Sequence, residues 1–284
     1  MKDTDIIRNG KREPMEYNTD TSKTKWWQNA WAALMFFTRL PFWRIYQPPV
    51  GSYKAVVEFW PLAGWLTGAA MAATIYFGSW VMPHALAVAL AILVRLMLTG
   101  ALHEDGLADF FDGFGGGNSK RRVLDIMKDS HIGTYGVLAL IVYLGVLFIA
   151  LWSLPPSLAA LAIFAADPFS KMLAGQLVQM MPYARSENEA KSGVVYRKIS
   201  VPSSICLAFQ GLLPAIPLLL YGGINAHLEF VVFIPCIVMY FLYLKIWHTL
   251  RGYTGDCCGA MFLLVELSVY LTICIIHHLT LAAS

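Results

Sequence analysis

The chain has 284 residues, 57% of them apolar and only 14% charged, with a formal net charge of +3. Soluble domains carry about a quarter charged residues, so this composition excludes an ordinary soluble protein and points to lipid. The five cysteines (Cys206, Cys236, Cys257, Cys258 and Cys274) are odd in number and three lie in apolar runs, which excludes a disulfide framework. Cys257 and Cys258 adjoin each other and lack the spacing of a zinc site.

The first 25 residues are polar and mixed in charge, with no apolar stretch after their basic residues, and so are not a cleaved signal. They read as a disordered cytoplasmic tail, residues 1–25, ahead of a single transmembrane catalytic domain over 26–284. Trp26 to Trp43 is apolar and aromatic but short, and Arg39, Pro41 and Arg44 interrupt its end, the pattern of an interfacial or re-entrant helix. Beyond it, seven segments reach the roughly 20 apolar residues that a spanning helix needs. They lie near 56–82, 84–103, 132–152, 157–181, 201–221, 228–247 and 259–281. The expected fold is all-α: a polytopic integral membrane helical bundle of about seven transmembrane helices plus the N-terminal interfacial or re-entrant helix.

Basic residues separate the connections into two kinds. Nine precede Val56, four lie in 104–131, four in 182–200, and Lys245 and Arg251 flank the last loop, while the connections near Pro83, Pro155 and Gly222 have none. The positive-inside rule then predicts a multi-pass protein of the cytoplasmic (inner) membrane, with the tail and the three large loops in the cytoplasm. Acids balance these loops locally, so nucleic acid is not an expected partner.

Six of the 18 carboxylates fall between 104 and 129: Glu104, Asp105, Asp109, Asp112, Asp125 and Asp129. Asp105, Asp109 and Asp112 follow at steps of four and three, which keeps them on one helical face, and Asp125 and Asp129 repeat the four-residue step. Gly113, Gly115, Gly116 and Gly117 separate the two groups, so the expected form is a helix, a glycine turn and a second helix capped by Ser119. Converging carboxylates repel unless a cation intervenes, and oxygen-only ligands favour Mg²⁺ or Mn²⁺. Arg122, Lys128 and His131, interleaved with the acids, are suited to phosphate oxygens, which points to phosphoryl transfer. The glycine run lacks the Gly-Lys-Ser/Thr ending of a P-loop.

The run Thr99-Gly-Ala-Leu-His-Glu-Asp-Gly-Leu-Ala-Asp-Phe-Phe-Asp-Gly113 resembles the signature of the cobalamin synthase family, the adenosylcobinamide-GDP ribazoletransferases. Arg122-Val-Leu-Asp-Ile-Met-Lys-Asp-Ser-His-Ile-Gly-Thr-Tyr-Gly136 resembles the family's second block. Weaker likenesses are Phe37-Thr-Arg-Leu-Pro41, Tyr183-Ala-Arg185 and Tyr253-Thr-Gly-Asp256 with Gly259 and Glu266. Glu104 departs from the family, which more often has an apolar residue there. The resemblance implies a Mg²⁺-dependent reaction in which α-ribazole, or its phosphate, takes the cobinamide phosphate of adenosylcobinamide-GDP and GMP leaves. It further implies that Asp105, Asp109, Asp112, Asp125 and Asp129 hold the metal and diphosphate. Arg122, Lys128 and Arg185 would then contact phosphate and Asp256 complete the pocket. His131 and Thr254 are further candidates for substrate binding, and His103, Asp105, Asp109 and Asp112 are the candidate catalytic residues.

His103 adjoins the cluster and is a candidate general base, with the interfacial end of a helix as its alternative role. Asp167, Lys171, Arg95, Glu58 and Glu266 lie in or near predicted spans, where ionisable groups pair or face a cavity. Asp167 and Lys171, four apart, are expected to pair. A CDP-alcohol phosphotransferase and a membrane transporter are the competing readings; the first wants Ala-Arg two residues after Asp-Gly, where this chain has Leu107-Ala108-Asp109 after Asp105-Gly106. Association with other nucleotide-loop assembly enzymes and self-association stay open.

Overall fold

The computed structural model of the protein describes residues 6–8, 11–13, 24–185, 195–221, 227 and 229–283. The expectation of a disordered tail falls mainly outside the described residues; within it, β1 (Ile6–Arg8) pairs antiparallel with β2 (Lys11–Glu13). Every other regular element among the described residues is helical. In chain order these are α1 (Trp26–Phe37), α2 (Val50–Tyr53), α3 (Trp60–Val81), α4 (His84–Thr99), α5 (Leu102–Gly116), α6 (Lys120–Lys128), α7 (Thr134–Trp152), α8 (Pro156–Met180), α9 (Val201–Leu212), α10 (Ile216–Leu219), α11 (Glu229–Leu250) and α12 (Gly255–Ala283).

Five stretches are long and apolar enough to cross a bilayer: Thr134–Trp152, Pro156–Met180, Val201–Leu219, Glu229–Leu250 and Gly255–Ala282. A sixth arises if α4 and α5, bent by 89° at their break, count as one broken span. The protein is therefore a polytopic membrane bundle, with fewer unbroken spans than the seven expected. One difference is α3, which matches α11 in length at 22 residues but spends its inner face on small side chains. Gly64 and Gly68 lie directly against Asp167 and Pro168 of α8, a close packing that large apolar residues would prevent. The other is the second expected span, which stops at Thr99 because Gly100 and Ala101 both adopt left-handed backbone, with φ of 65° and 55°. The side chain of Arg39 packs on Gly100, where a Cβ would overlap it, and the Arg39 N–H donates to the Leu98 carbonyl at 2.6 Å.

α8 is the central helix. Neighbouring elements bury 89% of its apolar window, against 11% for α11, which presents its side chains to lipid. α1 is 12 residues long, about 18 Å at 1.5 Å per residue, too short to span. It buries Ala32, Ala33 and Phe37 at one end of the bundle.

Among the described residues, Asp167, Lys171, Arg95 and Glu266 are each paired within the bundle. Asp167 and Lys171 pair as expected, and Asp167 also accepts from Thr67 Oγ1 at 2.7 Å. Arg95 of α4 donates through Nη1 to Glu266 of α12 at 2.6 Å and through Nη2 to the Tyr143 hydroxyl of α7 at 2.7 Å. Glu104 of α5 stands 3.6 Å from the same guanidinium, and Tyr270 donates to Glu266 at 2.8 Å. One buried arginine thus ties together α4, α5, α7 and α12.

Candidate active site

The acidic residues are carried by α5, the arm that leaves the break at Ala101. Glu104 and Asp105 stand in its first turn, where carboxylates favour the helix dipole. Asp105 is exposed and Asp109 partly buried one turn later on the same side. Glu104 points the other way, only 4% exposed, and serves neither as a spare ligand nor as a surface charge, because Arg95 holds it.

Asp112 has a different task. Its two carboxylate oxygens accept from the backbone N–H groups of Gly133 (2.7 Å) and Gly136 (2.9 Å), clamping the start of α7. A Cβ at either glycine would come within 2.4 Å of those oxygens, so glycine is required at both positions. Asp112, expected among the metal ligands, thus also satisfies orphaned amides at a helix start.

The second arm forms as expected. Ser119 caps α6 by accepting from the Arg122 N–H at 3.4 Å, and Val123 and Met127 of α6 pack on Gly113 of α5. Arg122, Asp125, Lys128, Asp129 and His131 remain exposed. Asp129 pairs with His131 at 2.7 Å, and that hydrogen bond holds the Asp129 carboxyl below the usual carboxylate range. Among the described residues, no three of the His, Cys, Asp and Glu side chains stand close enough to form a metal ligand set.

The third wall comes from far along the chain. Gly106 of α5 lies against the Asp256 backbone, and Gly259 against the His103 backbone, so α5 and α12 approach backbone to backbone at these two points. Thr254, expected to touch substrate, is 1% exposed and caps α12 instead, its Oγ1 accepting from the Cys257 N–H at 3.2 Å. The segments around Tyr183 and Tyr253 pair in parallel: Ala184 N–H donates to the Tyr253 carbonyl at 2.8 Å and Tyr253 N–H to the Pro182 carbonyl at 2.9 Å. This pairing sets Arg185 beside the start of α12, where its Nη2 donates to the Leu124 carbonyl of α6 at 3.0 Å. Arg185 therefore bridges α6 and the α12 wall.

His103 is not on the acidic face. It is 3% exposed and enclosed by the rings of Phe37, Trp60 and Phe262, with centroids 6.2, 5.7 and 4.8 Å away, so its imidazole does not reach the acidic surface as a base. The structure thus brings Asp105, Asp109, Asp256 and Arg185 to one end of the bundle, keeps Arg122, Asp125, Lys128, Asp129 and His131 on the neighbouring arm, and buries His103, Asp112 and Thr254. Sequence reasoning missed the hub made by Arg95. Its signal was an arginine inside an apolar span, but the partners Tyr143, Glu104 and Glu266 come from three other helices.

The fold and the site define a polytopic membrane protein with an acidic site at one end of its bundle. Residues 29–274 match the family model described as Cobalamin-5-phosphate synthase. Among curated relatives, the adenosylcobinamide-GDP ribazoletransferase of Leptospira interrogans is 34% identical over 87% of this chain and 95% of its own length. Those of Pseudoalteromonas atlantica (39% identical, covering 86% of this chain and 89% of the relative) and Vibrio parahaemolyticus (37%, covering 85% and 89%) are similar over the same extent. No solved structure matches. The chain belongs to the cobalamin-5-phosphate synthase family, a family of transferases in cobalamin synthesis.

Proposed function

We propose that the protein is an adenosylcobinamide-GDP ribazoletransferase whose reaction depends on Mg²⁺ and runs at the cytoplasmic face of the inner membrane. The observation that carries this reading is the convergence of the α5 acidic face, the α12 start with Asp256, and Arg185 at one end of the bundle. Carboxylates beside a guanidinium are the equipment of phosphoryl transfer, where positioning and charge neutralisation supply most of the catalysis. The relatives' names supply the substrates, and the basic loops supply the orientation.

In this reading a ribose hydroxyl oxygen of α-ribazole, or of its phosphate, bonds to the cobinamide-linked phosphorus of adenosylcobinamide-GDP. The bridging P–O bond breaks, GMP leaves with the bridging oxygen, and the hydroxyl proton passes to a carboxylate or to water. Asp105 and Asp109 suit Mg²⁺ by donor chemistry, since that ion is commonly held by one or two carboxylates plus substrate phosphates rather than by an all-protein cage. When bound, it neutralises diphosphate charge. Asp125 and Asp129 complete the acidic surface from α6, while Arg122, Lys128, His131 and Arg185 orient phosphate oxygens.

The test uses the full chain in lipid nanodiscs with adenosylcobinamide-GDP, α-ribazole and titrated Mg²⁺, reading GMP release. Asp105→Asn is expected to lose roughly 100-fold or more in kcat, the scale of removing one electrostatic stabiliser, with an unchanged unfolding midpoint. Normal turnover in that variant would overturn the site; no GMP from the unaltered protein would overturn the reaction.

A further inference from the structure

α11 is the least covered of the long apolar helices, and its exposed side is patterned along its length. Its buried residues, Pro235, Ile246 and Leu250, share one side. At 100° per residue the exposed Phe230, Phe233, Ile237 and Phe241 fall on the opposite side. Lys245 and His248, both exposed, continue that outer face through the last turns. Arg251 follows directly after the helix in left-handed backbone, with φ of 52°, where its N–H donates to the Trp247 carbonyl at 3.1 Å.

These cations rest on aromatic rings. Lys245 Nζ stands 5.9 Å from the Phe114 centroid of α5, and the Arg251 guanidinium 5.3 Å from that of Trp247. Among the described residues neither forms an ion pair with a carboxylate. A ring face holds a cation in place without cancelling its charge, so both remain able to attract an anion. Twelve residues separate Phe233 from Lys245, roughly 18 Å along the helix, close to one leaflet of a bilayer whose hydrocarbon core is about 30 Å thick. Lys245 meets α5, and Arg251 lies between α11 and the start of α12, so the charged end of this face is the end of the bundle that carries the acidic site.

An amphiphile with a negative head matches this face over its whole length, acyl chains against the rings and phosphate against the cations. A zwitterionic phospholipid brings its own ammonium to compete for that phosphate; phosphatidylglycerol does not. We propose that the outer face of α11 binds an anionic phospholipid of the leaflet nearest the acidic site. Lys245, His248 and Arg251 hold its phosphate, and Phe233, Ile237 and Phe241 carry its chains. This assignment draws on the membrane fold alone and stands apart from the transfer reaction.

The test is native mass spectrometry of the full-length protein in detergent with equimolar phosphatidylglycerol and phosphatidylcholine of identical chains. The first lipid retained is expected to be phosphatidylglycerol, by roughly tenfold or more, and Lys245→Gln/Arg251→Gln is expected to bring the two lipids within about twofold of each other. Lys245→Arg/Arg251→Lys is expected to keep the preference. So is Arg44→Gln/Lys198→Gln, which removes the same charge elsewhere on the exposed surface. Unfolding midpoints measured alongside are expected to match in all four proteins. Equal retention of the two lipids by the parent, or an unchanged preference in Lys245→Gln/Arg251→Gln, overturns the proposal. An equal loss in Arg44→Gln/Lys198→Gln overturns it too, since net charge rather than this face would then set the preference. If Lys245→Gln/Arg251→Gln alters the dimer fraction in the same spectra while the lipid preference stands, the face is covered by a second copy and the proposal fails.

Discussion

Two charged regions of this molecule lie within a few turns of one another and are built on opposite rules. Around Arg95 every charge is buried and matched by a named partner: Glu266 at 2.6 Å, Tyr143 at 2.7 Å and Glu104 at 3.6 Å. Across α5 and α6 Asp105, Arg122, Asp125, Lys128 and Asp129 are exposed, and Asp129 pairs with His131 at the surface. A charge removed from solvent must be paired at once, whereas an exposed charge is cheap to leave available. The first region fixes where helices sit; the second is the one to which the proposed reaction is assigned.

Breaking the buried region has the largest expected effect. Arg95→Met leaves Glu266 and Glu104 without their cation and is expected to cost about 3–5 kcal/mol of unfolding free energy, measured by denaturant titration in detergent. Adding Glu266→Gln to Arg95→Met is expected to recover part of that loss, because fewer unpaired charges then stay buried. Asp112 lies between the two regimes, and Asp112→Asn sharpens the boundary. An amide can accept from only one of the two glycine N–H groups, so a loss of about 1.5–3 kcal/mol is expected, the scale of a hydrogen bond to a charged group. Hydrogen exchange at Gly133 and Gly136 should accelerate while the half-saturating Mg²⁺ concentration stays put; a shifted Mg²⁺ midpoint with unaltered exchange would return Asp112 to the ligand set.

The smallest effect belongs to the exposed pair. The Asp129 carboxyl is held low by His131, so whatever stability it adds is present above the ordinary Asp value of 3.8 and fades as pH falls through the lowered folded value. Its carboxyl carbon is expected to titrate below other exposed aspartates, and to move up in His131→Ala, with the unfolding midpoint near neutral pH unmoved.

The helical bundle, the short α1, the Ser119 cap and the helices that carry the acids were legible from periodicity and turn chemistry, since those signals are local. Less legible was how a residue divides its loyalty between ligand and scaffold. Asp105, Asp109 and Asp112 have the same spacing signature, yet only the last meets the orphaned amides of α7, a contact 21 to 24 residues away in sequence. His103 and Thr254 were drawn toward the site by their neighbours in sequence, and their burial depends on Phe37, Trp60 and the α12 turn. The count of spans suffered for a related reason. Apolar length does not reveal that Gly100 and Ala101 turn the chain by 89°, or that α3 trades bulk for proximity to α8.

The glycine seam between α5 and α12 carries a mechanical consequence. Where Gly106 rests on the Asp256 backbone and Gly259 on His103, there are no flexible side chains to compress or swing aside, so these two walls behave as a single stiff jaw. The α6 arm, packed on Gly113 through Val123 and Met127, is tied to the α12 side by Arg185 on the Leu124 carbonyl, a single hydrogen bond that can be released and remade. The spacing of the aspartates on α5 is thereby set by backbone contact rather than by compressible side chains.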